Sequence, residues 1–480
     1  RSRRRSAGDQ SSAGSREFLD DDGVPACENS ASGISSESHR LAACEPVARL
    51  AASAEQQQSA EGSIRVFELL RRYTADFVKH HRPQAVPQVQ STLAKLELCR
   101  TVALGGHLYR CDACDIECRV NNSCGDRHCP QCAGAKRADW LDSTSELLLP
   151  GITYFQVVFT IPDKLSSLAL GNRKEIYDLL FRAAWKTLKE VIADEQLFEA
   201  AAVMVLHTWN QMLEAHAHLH AMVPGGGPAL TADHCWIKSR RSHVKRCDGK
   251  YLCDSEELKS KFRKTFLAGL KRLHANGKLN LTGDWKFLQD KSTFDDWLKP
   301  LESITWVAYI EPPPFENCPP EQMAKYLARY LTGGPISDRR IVSHENGFVT
   351  FQARVGDKTG GSKETIPICI PGAEFVRRWS LHILPKGYTK TRRFGGYWNC
   401  RREKYIAKCR ELLAAAGVES SAPDVMAVSN PADPIAESET NTSPCCPKCQ
   451  TKMRGIGVEQ KRGWRIVMKS LYRPHWYRDD

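Results

Sequence analysis

The segment "CDACDIECRVNNSCGDRHCPQC" at 111–132 restricts what this chain can fold into more than any other stretch. Cys111 and Cys114 form one C-x2-C pair and Cys129 and Cys132 a second, the arrangement in which two tight turns present four thiolates tetrahedrally to one Zn2+. The spacing predicts a small zinc module held by Cys111, Cys114, Cys129 and Cys132. Cys99, His107, Cys118, Cys124 and His128 lie in or beside the same segment, and some could build a second site or exchange with the first set. A Zn2+ with four protein ligands has no vacant position, so the predicted ion is structural. Lys136 and Arg137 follow directly and could meet phosphates or be ordinary solvated charges. With 19 cysteines clustered in this way, the pattern reads as metal binding in a reducing compartment rather than a disulfide framework.

Charge and hydrophobicity narrow the function class. Lys plus Arg number 68 against 56 Asp plus Glu, an excess that favours a polyanionic partner, with nucleic acid the first candidate. No run approaches the roughly 18 apolar residues of a membrane helix, so the expected location is cytoplasmic. Residues 1–62, rich in Ser, Ala, Glu and Gln, are expected to be a disordered tail. Helical periodicity begins with Ile64, Phe67, Leu70 and Phe77, opening a helical and zinc-binding domain over 63–150. A larger domain is expected over 151–411, a flexible linker over 412–444, and a basic tail over 445–480 that carries Cys446 and Cys449, half of a zinc site by itself.

Inside the larger domain, "GITYFQVVFTIP" at 151–162 reads as a buried strand, followed by a helix with Ile176, Leu180, Ala183, Thr187 and Val191 on one face. "AAVMVLH" at 201–207 and "HAHLHAMVP" at 216–224 read as two more strands, close enough in sequence to pair. Alternate side chains on a strand share a face at roughly 7 Å intervals, so His216, His218 and His220 point the same way. Neighbouring imidazoles of that set can converge on a metal ion, and His207 can supply a third ligand from the next strand. Two or three histidines leave coordination positions for a phosphate oxygen and water, as a catalytic metal needs. The same pattern also suits a row of hydrogen-bonded strand histidines. The glycines at 225–227 are expected to make a flexible turn.

"PPEQMAKYLARYLTGG" has prolines before and glycines after a helical stretch at roughly 320–331, with Tyr326 and Tyr330 four residues apart on one face. "LPKGYTKTRRFGGYW" at 384–398 interleaves Lys386, Lys390, Arg392 and Arg393 with aromatic rings, a mixture suited to single-stranded DNA or to a basic helix end with core aromatics.

Together with "ELCRTVALGGHLYRCDAC", "NSCGDRHCPQC", "FLAGLKRLH", "YLARYLTGGPIS" and "SLHILPKGYTKTRRFG", these segments resemble the rolling-circle transposases of insertion-sequence family 91, members of the HUH group of nucleases. The resemblance spans about 300 residues. It implies an α+β fold, with an HUH nuclease core whose central antiparallel sheet is flanked by helices and preceded by a small zinc-binding domain. It further implies that His218, Leu219 and His220 are the His-hydrophobic-His motif and that Tyr326 and Tyr330 are the nucleophile pair. By the same resemblance, Mg2+ or Mn2+ is the catalytic ion beside structural Zn2+, and single-stranded element ends are the partner. The third metal ligand varies within the group; His207 is preferred here, with Gln211 and His216 behind it. The expected chemistry is cleavage and rejoining through a 5′-phosphotyrosine, which conserves the energy of the cut bond without ATP. A replication initiator or relaxase with the same nuclease chemistry, or a catalytically inactive zinc-binding DNA-recognition protein, are the alternative readings.

Overall fold

The computed structural model describes residues 64–231, 234–241, 251–311, 320, 324, 334–355, 364–418 and 443–478. The expected tail over 1–62 lies outside them, as does most of the expected linker over 412–444. The chain begins with helices α1 (Val66–His80) and α2 (Pro87–Glu97), the second opened by a proline at its first turn, where no backbone N–H is needed. Strands β1 (Gly106–Arg110) and β2 (Glu117–Asn121) form an antiparallel hairpin around the first cysteine pair, and α3 (Ala133–Ser145) follows the second.

The larger domain runs through β3 (Tyr154–Thr160), α4 (Ser166–Gly171), α5 (Arg173–Gln196), β4 (Ala201–Trp209), β5 (Ala215–Pro224), β6 (Gly226–Pro228) and β7 (Trp236–Lys238). Then come α6 (Ser255–Ala275), α7 (Lys291–Ser303) and β8 (Val307–Glu311). Helix α6 starts cleanly because the Asp254 carboxylate accepts from the N–H groups of Glu256 and Glu257, and Asp290 does the same for α7 through Thr293. Beyond these lie β9 (Ile341–Glu345), β10 (Phe348–Val355), β11 (Glu364–Pro371), α8 (Gly372–Ser380), β12 (Thr391–Gly395), α9 (Arg402–Ala415) and β13 (Arg454–Glu459). No helix among the described residues is long and apolar enough to cross a membrane.

Five strands form the central sheet in the order β12-β4-β5-β3-β8, every neighbouring pair antiparallel. Its two faces differ in a way the period-2 pattern dictates. Phe155, Val157 and Phe159 of β3, Met204 and Leu206 of β4, and Leu219 and Ala221 of β5 all pack against α5, α6 and α7 in the main core. On α5, Ile176, Leu180, Ala184, Leu188 and Val191 provide the matching stripe. The opposite face carries Tyr154, Val203, Val205 and Met222 in a second cluster with Leu147, Tyr397, Tyr405 and Leu413, and histidines where that cluster ends. A central antiparallel sheet flanked by helices is thus present as expected.

Two features depart from the sequence reading. Gly226 and Gly227 do not make a flexible turn: they sit in β6, paired with β7, where a Cβ on Gly226 would stand 2.6 Å from the Ile237 carbonyl and one on Gly227 2.5 Å from that of Glu199. These glycines are required by close backbone approach. Residues 454–459 likewise do not form a separate tail, because β13 pairs with β1 and completes a three-stranded sheet in the order β13-β1-β2. The sheet β11-β10-β9 and α8 pack with α1 and α2 in a further core that includes Phe77, Leu93, Phe351, Phe375 and Trp379.

Candidate functional site

The register of the central sheet brings three imidazoles together. His207 on β4 stands directly opposite His218 on β5, and His220 stands opposite Val205, so all three side chains share the face away from α5. One ring nitrogen from each of His207, His218 and His220 lies within 4.8 Å of the other two. The His207 ring stacks on Trp209, with centroids 4.6 Å apart. His216 is absent from this set: it lies where the β4–β5 register shifts between the His207–His218 and Trp209–Ala215 pairs, and its Nδ1 meets Asp163 Oδ1 at 2.8 Å. Gln211 lies beyond the end of β4, where its carbonyl accepts from Arg340.

The surroundings prepare these rings as ligands. His218 Nδ1 donates to the His216 carbonyl at 3.0 Å, which assigns its proton to Nδ1 and leaves the Nε2 lone pair for a metal. Buried Gln156 on β3 places its amide 3.2 Å from His220 Nδ1, and its carbonyl oxygen has no hydrogen-bond partner among the described residues. Turning the amide over sets that oxygen on an Nδ1–H and again frees Nε2. Burial, followed by the neighbouring His220 and His216, pushes the His218 imidazole well below its usual range. Burial and then Lys390 bring His220 to about 4. Three imidazoles facing one point, two of them held neutral by burial, fit a divalent cation and leave further coordination positions open.

Lys390 precedes β12, with Nζ 5.0 Å from the Trp209 ring centre, and burial beside Arg127 lowers it to about 7. It lines a cavity of about 180 Å³ together with Arg127, Lys136, Trp209 and His382. The remaining predicted cations are placed differently. Lys386 is exposed. Arg393 donates to the carbonyl and hydroxyl of Ser143 at the end of α3. Arg392 falls on the helical face, opposite Met204, where it pairs with Asp178 and lies over the rings of Phe181 and Tyr388. Tyr388 and Tyr397 are buried, so the aromatic rings of this segment serve the core, while Trp398 is exposed. Tyr326 and Tyr330 lie outside the described residues; Ala324, two positions before Tyr326, is helical and fully buried in the cluster containing Val203, Val205 and Met222 on the histidine face.

The cysteines regroup relative to the sequence expectation. Cys111, Cys114, Cys129 and Cys132 do not converge on one point. Cys129 and Cys132 gather with Cys99 and Cys124, all four sulfurs within 4.8 Å of one another, while Cys111 and Cys114 point elsewhere. Hairpin β1–β2 carries the first pair away from the loop that holds the second, and Cys99, at the end of α2, fills the gap. Sγ separations of 3.7 Å for Cys99–Cys132 and 3.8 Å for Cys124–Cys132 match the roughly 3.8 Å edge of a ZnS4 tetrahedron with Zn–S near 2.3 Å. Backbone N–H groups of Cys124 and Asp126 donate to the sulfurs of Cys99 and Cys124. The cluster therefore fits a structural Zn2+.

This loop is also fastened to the segment that leads into β12. Arg127 donates to the carbonyls of Tyr388 and Pro385, and His128, whose Nδ1 donates to Asp126, accepts the Leu384 N–H at Nε2. Gln156, Cys99 and Cys124 are the site residues that the sequence did not assign. The signal for Gln156 was available, since it is the one amide inside the apolar run "YFQVVF".

Comparison with known proteins agrees with this architecture. Residues 201–404 match the family described as "Putative transposase", and residues 69–161 match the "Transposase zinc-binding domain". The chain is 35% identical over 387 residues to the "Putative transposase y4qJ" of Sinorhizobium fredii, covering 80% of this chain and 92% of that one. It is 26% identical over 332 residues to the transposase for insertion sequence element IS801 of Pseudomonas savastanoi pv. phaseolicola, covering 68% of this chain and 74% of that one. No solved structure matches it. The chain belongs to the insertion-sequence family 91 transposases, DNA-cleaving enzymes that carry a zinc-binding domain.

Proposed function

We propose that this transposase cuts and rejoins single-stranded DNA at the ends of its element through a 5′-phosphotyrosine, with Tyr326 and Tyr330 as the two nucleophiles. The observation that carries the reading is the convergence of His207, His218 and His220 on the sheet face where Ala324 is buried. A chain segment anchored there by Ala324 has its tyrosines only two and six residues further on. His207, His218 and His220 would hold Mg2+ or Mn2+, which would supply polarisation of the scissile phosphate and stabilisation of charge on its oxygens.

The protein's own residues supply the rest. His216 and Gln156 fix the ring orientations. Lys390, its charge within reach of His218 and His220, favours a phenolate over a phenol whose ordinary pKa is near 10 and offers a cation to the DNA backbone. Attack by the phenolate oxygen joins tyrosine to the 5′-phosphate and releases a 3′-hydroxyl. A second tyrosine lets one strand end stay bound while another strand is cut.

The test is incubation of the protein and Mg2+ with labelled single-stranded DNA from the element's ends, followed by denaturing electrophoresis. A denaturant-resistant protein–DNA adduct is expected, retained in part by at least one of Tyr326→Phe and Tyr330→Phe and lost in the double variant. An undiminished adduct in the double variant places the nucleophile elsewhere, and no adduct with the wild-type chain refutes the covalent reading.

A further inference from the structure

Cys446 and Cys449 lie more than 300 residues from the other cysteine pairs, yet the fold brings them to the hairpin β1–β2. The sulfurs of Cys111, Cys114, Cys446 and Cys449 all lie within 4.8 Å of one another, with Cys111 and Cys449 3.5 Å apart. Neither this pairing nor a role for residues 446–449 follows from the matched zinc-binding domain, which ends at residue 161.

The two pairs are built alike. The Cys111 N–H donates to the Ile116 carbonyl and the Asp115 N–H to the Cys111 carbonyl, at 2.9 and 2.8 Å. In the second turn the Cys446 N–H donates to Thr451 and the Gln450 N–H to Cys446, at 2.8 and 2.9 Å. In each turn the residue after the second cysteine is a non-glycine at positive φ, 54° for Asp115 and 60° for Gln450. Such a conformation is uncommon for these residue types and persists where the surroundings impose it. Two copies of one strained turn, facing each other with four thiols between them, form the knuckle pair that wraps a tetrahedral ion.

A second observation points the same way. Around these cysteines the buried apolar cluster comprises, among the described residues, Cys111, Cys446 and Met453, with Tyr109, Cys114, Ile116 and Cys118 packed partly against it. Beyond its backbone ladders the sheet β13-β1-β2 has the ion pairs of Arg454 with Asp112 and Arg119 with Glu459, which are largely exposed and contribute little, and the segment after β13 packs Val467 and Trp464 near Leu98 and Leu104 rather than on the cysteines. Small modules without a core of their own are held by disulfides or metals. Here the sulfur spacing is far beyond the roughly 2.05 Å of a disulfide bond.

We infer that Cys111, Cys114, Cys446 and Cys449 form a second structural Zn2+ site that fastens the carboxyl-terminal segment to the zinc-binding domain. Each thiol releases its proton to solvent on ligation, so the ion is shed on acidification. Cys445 is not one of the four converging thiols.

Elemental analysis of the full chain, purified without chelator, provides the test, with hydrogen exchange as an independent readout. Two Zn2+ per chain are expected. The Cys446→Ser/Cys449→Ser double variant should hold one, and its residues 454–459 should exchange about tenfold faster or more while β3–β5 keep their protection. Cys449→His, which preserves a ligand, should keep two ions. Retention of two Zn2+ by the double serine variant would overturn the proposal, as would a single Zn2+ in the wild-type chain. So would a deficit of two free thiols after denaturation with chelator, the mark of a disulfide at this position. None of these readouts depends on cleavage chemistry, so failure here leaves the tyrosine reading untouched, and the reverse.

Discussion

Replacing Gln156 by Leu separates the part of the histidine site that binds a metal from the part that holds the sheet together. Gln156 is 4% exposed, lies between Phe155 and Val157, and touches His220 through one neutral hydrogen bond of 3.2 Å. Such a bond contributes about 1 kcal/mol net. Once it is gone, the proton is free to occupy either ring nitrogen of neutral His220, and imposing one tautomer out of two costs a further RT ln 2, about 0.4 kcal/mol. The two together are close to 1.4 kcal/mol, or about tenfold in metal affinity, at the low end of what outer ligand-orienting residues contribute. Stability of the metal-free protein should change by less than about 1 kcal/mol, because leucine also removes the amide oxygen that lacks a partner among the described residues. Titration of Mn2+ into the full chain, followed by electron paramagnetic resonance and alongside thermal unfolding, reads both quantities. Gln156→Glu should bind Mn2+ at least as tightly as wild type, since a carboxylate accepts the Nδ1–H more strongly. A Gln156→Leu protein with Mn2+ affinity within twofold of wild type, or a Glu variant weaker than the Leu variant, refutes the orienting role.

Other substitutions give equally distinct outcomes. His207→Ala should weaken Mn2+ binding and adduct formation, while His216→Phe, which changes a ring bonded to Asp163, should leave Mn2+ affinity within a few-fold; a stronger effect at His216 than at His207 would exchange their roles. Below about pH 6, where Lys390 is charged, Lys390→Met should lower the salt dependence of single-stranded DNA binding by about 0.7 in slope, the loss of one phosphate contact, whereas Arg392→Met should leave that slope unchanged and reduce stability by about 2 kcal/mol by stranding Asp178. The Glu374 carboxyl, held by Arg377 and then Arg378, is lowered from 4.5 to about 2. A depressed carboxyl stabilises the fold above its unfolded value and loses that contribution as pH falls through the folded one. Wild type should therefore lose stability between about pH 4.5 and 2, and Glu374→Gln should be less stable by about 1 kcal/mol at neutral pH and converge with wild type near pH 2, as chemical denaturation across that range would record.

Local periodicity made the histidine strands legible. His218 and His220 share a face because the backbone alternates, and His207 reaches them because β4 and β5 are joined by a short turn, so adjacency in sequence became adjacency in space. The cysteines show where that reasoning ends. A pair of C-x2-C turns carries no information about which partner it meets, and each of the two nearby pairs found its ligands elsewhere, at Cys99 and Cys124 in one case and in the carboxyl-terminal segment in the other. Arg392 escaped for a different reason: the basic-aromatic pattern is the same whether rings stack on bases or on the protein, and only the β12 register assigns this guanidinium to Phe181 and Tyr388. The glycines at 225–227 were misread because flexibility and close packing select the same residue.

Pairing of β13 with β1 sets a clock on biosynthesis. Cys111 and Cys449, which this pairing brings together, are separated by 338 residues. At ribosomal rates of about 5 to 20 residues per second, the hairpin waits about 17 to 70 s for its third strand. During that interval the nascent chain displays an open strand edge and two thiols of Cys111 and Cys114 without their distal companions, and the histidine sheet gains its last strand, β12, only late in it. The two modules therefore finish in a fixed order: the histidine sheet closes when β12 is made, and a polypeptide interrupted between β12 and Cys446 holds that sheet and the Cys99–Cys132 cluster but leaves Cys111 and Cys114 without their distal partners and β1 without its third strand.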